Sequence, residues 1–237
     1  MPIKAVEPQR LYRRIAEQIA RLIRRGEYRP GERLPPERDL AKQLKVSRPS
    51  VREALIALEV EGYVEVRVGS GVYVTQRRPP ATARVEPLPH DSGPFELIAA
   101  RRLLESECAA LAARHASPAQ VRRIRAALSA MERDRRRALM PLENDRRFHL
   151  EIAEASANSA LALAVRTLWD QRTGPLFLQL EHHFDTPELW DAAIAEHTAV
   201  MTAIEGHDLA GARLAMRRHM DAAARRFQRS WSATAKH

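Results

Sequence analysis

Apolar side chains recur every third or fourth residue along most of this chain, and the points where that rhythm breaks mark out its elements. Leu11, Ile15, Ile19, Leu22 and Ile23 form one stripe on a strongly basic helix, which Gly26 and the Pro30–Gly31 pair bring to an end. A second, short helix is predicted to start near Pro36 or Glu37 and to bury Leu40, Ala41 and Leu44. Lys45, Val46 and Ser47 then leave room only for a tight turn. A third helix follows, with Val51, Ala54, Leu55 and Leu58 facing inward. Ser47 can cap it, Pro49 is tolerated in its first turn, and Ser50 with Glu53 offers an alternative capping box. Beyond Gly62 the period shortens to that of a strand. Tyr63, Val64, Val66 and Val68 run into a Gly69-Ser70-Gly71 turn, and Val72 to Val74 return as the second arm of a hairpin. Helix, turn, helix and β-wing thus follow one another within residues 1–76.

Between 77 and 94 the chain reads RRPPATARVEPLPHDSGP, whose five prolines continue neither a helix nor a central strand, and this stretch is predicted to be an interdomain linker. From Phe95 the helical period returns and persists, with glycine scarce and no convincing alternation. Helices are predicted over Phe95–His115, Pro118–Leu139, Leu142–Ser156, Asn158 to about Phe184 with a break at Gly174–Pro175, Pro187–Gly206, and Leu209 to about Trp231. Their short connections imply antiparallel neighbours. The fold class is mainly α: an N-terminal winged helix-turn-helix, then an all-α antiparallel bundle over 95–232.

Charge separates the two parts. Residues 1–78 hold 17 Lys+Arg against 10 Asp+Glu, a net of +7, whereas the remainder holds 22 against 20. The basic excess falls on the winged segment, as expected of a surface that meets phosphates. On the third helix, Arg48 and Arg52 stand one turn apart beside the apolar stripe, so they are expected to project together. The N-terminal half of such a helix enters the major groove, and arginine pairs bidentately with guanine, which makes both candidates for base readout. The single cysteine, Cys108, excludes an intrachain disulfide and a cysteine-rich zinc finger, and is expected to be a small buried thiol. No apolar run is long enough for a membrane span and the N-terminus has no signal core, so a cytoplasmic protein with no membrane partner is expected.

The second part carries a polar constellation on its apolar stripes. Asp145 and His149 are one turn apart, in line with Phe148 and Ile152. His197 shares the series Trp190, Ile194, Met201 and Ile204, and His219 lies in line with Met216 and Ala223. Burying such groups without partners costs roughly 2–7 kcal/mol each. One carboxylate oxygen and three imidazoles suit a borderline divalent ion, zinc first, with nickel or manganese as alternatives. Each histidine taken alone could instead be a hydrogen-bonded core residue. His90, His115, His182, His183, His207 and His237 show no such convergence and are expected on the surface or in the linker.

With these residues in view, LPPERDLAKQLKVSRPSVREALIALEVEGYVEVRVGSGVYV resembles the winged helix of the GntR family of bacterial transcription regulators. RRLLESECAALAA, NDRRFHLEIAEASANSAL and EHTAVMTAIEGHDLAGARLAMRRHM resemble the FCD effector domain of the family's FadR-type branch. The resemblance covers nearly the whole chain. It implies DNA contact by Arg38, Ser47, Arg48, Ser50, Arg52 and Gly71, and metal ligation by Asp145, His149, His197 and His219. It further implies that Arg102 and Asn158 hold a small carboxylate effector. EVEGYVEVRVGSGVYV with LWDQRTGPLFLQL is most similar to hexuronate-operon repressors of the UxuR and ExuR type, in which Arg172 becomes a further effector contact.

The expectation is therefore a homodimeric repressor that reads a palindromic operator and is released by a sugar acid, a uronate or a related compound. Regulators answering to lactate, aldonates or amino acids share this framework. Two other classes compete. A metal-dependent sugar-acid enzyme would need a general acid or nucleophile that the sequence does not offer, and a sequence-blind DNA-packaging protein would need a basic second domain. No enzyme is expected.

Overall fold

Helix α1, Leu11–Arg24, is amphipathic and turns Tyr12, Ile15, Ala16, Ile19 and Ala20 inward. Its buried stripe starts one residue later than the periodicity suggests: Tyr12 is enclosed and Leu11 is 47% exposed. The structure, a computed structural model, describes residues 11–75, 92–184 and 186–228, and these fall into two compact units that meet at Gly93–Pro94 in sequence.

In the first unit α2 spans Glu37–Leu44 and α3 spans Arg48–Val60. The turn between them runs through Lys45 in the left-handed region at φ 55°, and the Lys45 N–H closes onto the end of α2. Ser47 caps α3, its hydroxyl accepting from the Ser50 backbone N–H at 3.3 Å, with Pro49 in the first turn. Strands β1, Val64–Arg67, and β2, Gly71–Val74, pair antiparallel with Val64 opposite Val74 and Val66 opposite Val72. All four of these valines are buried. The Glu59 carboxylate accepts from the Val66 N–H at 2.8 Å and so ties the wing to α3. At the wing's tip Gly71 sits at φ 132°, a conformation that favours glycine, with the Arg33 guanidinium packed where a Cβ would stand.

The second unit is a bundle of α4 (Pro94–His115), α5 (Pro118–Arg136), α6 (Leu142–Ala155), α7 (Ser159–Asp170), a 3-10 turn (Gln171–Thr173), α8 (Pro175–Phe184), α9 (Pro187–Glu205) and α10 (Leu209–Phe227). Helix α4 is its central member and packs on α6, α7, α9 and α10. Alanines 109, 112 and 113 on α4 are fully enclosed, and their small size permits close approach. The cross-pairs Arg102–Asp221 and Glu107–Arg213 show that α4 and α10 run antiparallel. Caps set the helix starts: Ser117 and Gln120 form a capping box on α5, and Asn158, Thr186 and Asp208 cap α7, α9 and α10. Helix α5 stops three residues short of Leu139 because Ala138 turns left-handed at φ 58°. The stretch read as a linker, 77–94, lies outside the described residues but for its last three, and the last of these, Pro94, already opens α4.

Candidate functional site

Asp145 and His149 project from one face of α6, His197 from α9 and His219 from α10, and these four side chains meet in the bundle core. The Nε2 atoms of His149 and His197 are 3.2 Å apart. Asp145 Oδ1 lies 3.5 Å from the first and 3.2 Å from the second. One nitrogen from each of the three imidazoles falls within 4.8 Å of the others.

Two carboxylates fix the orientation of these rings. Glu105 on α4 contacts His149 Nδ1, and Glu196 on α9 faces His219 Nδ1 at 2.9 Å. Each ring that gives its Nδ1 proton to a carboxylate presents a bare lone pair at Nε2, which is how proteins set histidines around a metal. Three imidazole nitrogens and a carboxylate oxygen brought this close together in a buried site fit a bound divalent cation. The histidine triad can therefore hold a metal ion.

Where protons join these groups, burial opposes the charged form of His149, but the Glu105 and Asp145 carboxylates outweigh it and push His149 above the ordinary imidazole value. Burial alone would raise the Asp145 carboxyl, but hydrogen bonds from His149 and His197 overturn this and hold it well below the usual carboxylate range. Burial likewise opposes ionisation of Glu105, and the Arg101 and His149 charges more than offset it. His219 is pushed well below the ordinary imidazole value by burial and by its two histidine neighbours. His197 is pushed down by burial, against the pull of Asp145.

A cavity opens beside this cluster, lined by Asp145 and His219 and by Arg101, Arg172, Trp190 and Arg226. Arg101 and Arg172 both lie over the Trp169 ring, at 3.8 and 4.3 Å from its centre. Arg101 Nε donates to Glu105 at 2.7 Å, and Arg172 reaches Asp145 at 3.3 Å and also binds Glu181. Among the described residues, Trp190 Nε1 and Arg172 Nε have no hydrogen-bond partner, and both atoms are buried.

Two of the residues expected at the effector do not line this cavity. Arg102 points away from the cavity and pairs with Asp221 at 2.6 Å, while its neighbour Arg101 occupies the inward position. The physical reason is the 100° step of the helix: Arg101 shares the buried stripe of Leu97, Glu105 and Cys108, and Arg102 does not. Asn158 is not among the residues that line the cavity either, and its side-chain oxygen accepts from the N–H groups of Ala160 and Leu161 as the cap of α7. Arg172 does line the cavity. Sequence reasoning missed Arg101, Glu105 and Glu196. A charged pair one turn apart on an apolar stripe was the signal available for the first two, and Glu196 had none beyond its place beside His197.

In the first unit, Arg38 is exposed at the start of α2, its side chain 71% accessible, and Arg48 is half exposed at the start of α3. Ser47 and Ser50 share a hydroxyl contact of 2.8 Å at the same helix start. Arg52 does not project beside Arg48 as the spacing suggested. Its side chain is 1% exposed, and it donates from Nε and Nη2 to Glu37 at 2.9 and 2.7 Å. Glu37 also accepts from Arg48 Nε at 3.1 Å, so one carboxylate gathers both arginines. A buried guanidinium with a carboxylate in reach folds onto it in preference to remaining unpaired.

Comparison with known proteins agrees with this architecture. Residues 11–74 match bacterial regulatory proteins of the gntR family, and residues 96–222 match the FCD domain. The chain belongs to the GntR family, in its FCD-containing branch. This GntR-family chain is 39% identical over 225 residues to the Uxu operon transcriptional regulator of Escherichia coli K12, covering 92% of this chain and 86% of that protein. It is 36% identical over 222 residues to the Exu regulon transcriptional regulator of the same organism, with 92% and 85% covered. The Uxu operon regulator of Haemophilus influenzae is 36% identical over 218 residues, with 90% and 80% covered. As a GntR-family member with an FCD domain, the chain is a DNA-binding transcription regulator, and the relatives it matches are regulators, not enzymes. No helix among the described residues is long and apolar enough to cross a membrane.

Proposed function

We propose that this chain is a cytoplasmic, homodimeric repressor of sugar-acid catabolism genes, released from a palindromic operator when a hexuronate or related acid enters the FCD cavity. A divalent cation, zinc foremost, is held there by Asp145, His149, His197 and His219. The observation that carries the reading is the convergence of two guanidinium groups, Arg101 and Arg172, with Asp145 and His219 of the metal-binding cluster around one cavity. A planar guanidinium fork suits a carboxylate, and the unpartnered N–H groups of Trp190 and Arg172 offer donors for the oxygens of a polyhydroxylated acid. The bound ion supplies a Lewis-acidic contact for an acid oxygen. The names of the Uxu and Exu relatives point to hexuronates.

On the DNA side, Arg48 reads base edges from the start of α3, and Ser47, Ser50 and Arg38 anchor the phosphate backbone around it. Gly71 lets the wing backbone approach a groove, and Arg52 contributes through Glu37, which it shares with Arg48. The test is a thermal-shift panel of uronates, aldonates and hydroxy acids, with and without chelator, followed by mobility shifts for each hit. A uronate that stabilises the protein only with metal present, and that then releases operator DNA, is the expected result. Release by none of these acids, or equal affinity for operator and scrambled duplex, would overturn the reading.

A further inference from the structure

Three arginines line the cavity, and each is bonded to a carboxylate that belongs to the histidine cluster or stands directly behind it. Arg172 meets Asp145, Arg101 meets Glu105 behind His149, and Arg226 meets Glu196 behind His219. The last chain differs from the others in its exposure. Arg101 and Glu105 are sealed, at 5% and 1% side-chain exposure, whereas Arg226 and Glu196 retain 15% and 26%. Arg226 Nη2 donates to Glu196 Oε1 at 2.5 Å, and Glu196 Oε2 accepts from His219 Nδ1 at 2.9 Å. Both ends of this relay, Arg226 and His219, line the cavity, from positions two turns apart on one face of α10.

We propose that Arg226 and Glu196 are positioning residues that couple occupancy of the cavity to the metal centre. Resting on the reading of the cavity as an acid site, the mechanism is electrostatic. An anionic or oxygen-rich end of the ligand binds the Arg226 guanidinium and draws its positive charge away from Glu196. Glu196, less neutralised, becomes the stronger acceptor for the His219 Nδ1–H, and His219 the stronger donor at Nε2. Ligand thereby tightens metal, and by reciprocity metal tightens ligand by the same factor. The relay also has a consequence without any ligand: removing the Arg226 charge should itself tighten metal, the opposite of what loss of a merely structural ion pair would do.

The experiment measures zinc affinity by chelator competition on the full chain and on four variants, with metal-free thermal unfolding as the control for folding. Glu196→Gln should weaken zinc roughly 10- to 100-fold. Arg226→Gln should tighten it severalfold, and Arg226→Lys, which keeps the charge, should stay near wild type. In the double variant Glu196→Gln/Arg226→Gln the second change should have no further effect. Galacturonate should tighten zinc in the wild type and not in Arg226→Gln. Weaker or unchanged zinc binding in Arg226→Gln, or unchanged binding in Glu196→Gln, overturns the relay. A wild type that ignores every acid of the panel overturns the acid-site reading alone, since the zinc series decides the relay without ligand.

Discussion

His149 Nε2 and His197 Nε2 stand 3.2 Å apart, both facing the same oxygen of Asp145. With the Nδ1 proton of His149 given to Glu105, its facing lone pair needs a cation or a shared proton opposite it. Zinc should therefore raise the melting temperature, and a chelator should reverse the effect. At free metal one hundredfold above its Kd the stabilisation is about 2.7 kcal/mol. His197→Gln should abolish that shift. An equal zinc shift in this variant, measured by differential scanning fluorimetry, would remove the triad from the metal site.

Arg101 and Arg102 are adjacent in sequence and opposite in placement. Arg101→Ala leaves Glu105 buried without its guanidinium, with only Trp169 Nε1 and His149 still against it, and a broken buried pair costs about 3–5 kcal/mol. Arg102→Ala removes an ion pair that is open to solvent, so stability should barely change. Arg101→Lys tests binding without the same loss, since it keeps the charge and gives up the fork. Calorimetry with galacturonate should show binding lost in Arg101→Lys and intact in Arg102→Ala. The reverse pattern would restore Arg102 as the effector contact.

The fold was legible because its signals are local. Ser47, Gly71 and the Val64–Val74 alternation announce a winged helix within a few residues of one another, and the structure uses each of them. The histidine cluster was legible through period alone: positions 145 and 149 share a helix face, and 197 and 219 lie on buried stripes. The cavity was not. Whether Arg101 or Arg102 turns inward depends on which face α4 gives to α10 and α7, a tertiary fact, and α4 spreads its apolar and charged residues too evenly around the helix for the pattern to single out one face. For Asn158 the sequence allowed a cap and a place near the cluster alike, and the structure shows the cap. Arg52 is enclosed because Glu37, fifteen residues away, reaches it.

Cys108 is fully buried on α4, and burial together with the nearby Glu105 charge pushes its thiol up to about 12. Only the thiolate attacks disulfide and maleimide reagents. At pH 8 its population is on the order of one in ten thousand, against roughly one in four for a free cysteine of pKa about 8.5. The native protein should therefore resist dithiobis-nitrobenzoate over hours and react within minutes in denaturant. Prompt stoichiometric labelling of the folded chain would show that α4 opens far more readily than its packing implies.

Arg48 and Arg52 share Glu37, yet their burial separates what each contributes. Arg48 is half exposed at the start of α3, so Arg48→Ala should leave stability within about 0.5 kcal/mol of wild type. It should cost operator binding about 1–3 kcal/mol and leave affinity for scrambled DNA nearly unchanged, the mark of a base contact. Arg52→Ala instead removes two charge-assisted hydrogen bonds from a nearly enclosed carboxylate and should lower unfolding free energy by about 1.5–3 kcal/mol. Operator binding should fall with it, because Glu37, freed of Arg52, holds Arg48 more firmly away from the groove. Glu37→Gln releases both arginines and should weaken the fold while raising affinity for any duplex, with a steeper salt dependence. Denaturant unfolding and mobility shifts at two salt concentrations, run on all three variants, separate these outcomes. An Arg52→Ala protein of wild-type stability that loses only operator preference would make Arg52 a direct reader, and the Glu37 pair a feature of the DNA-free state alone.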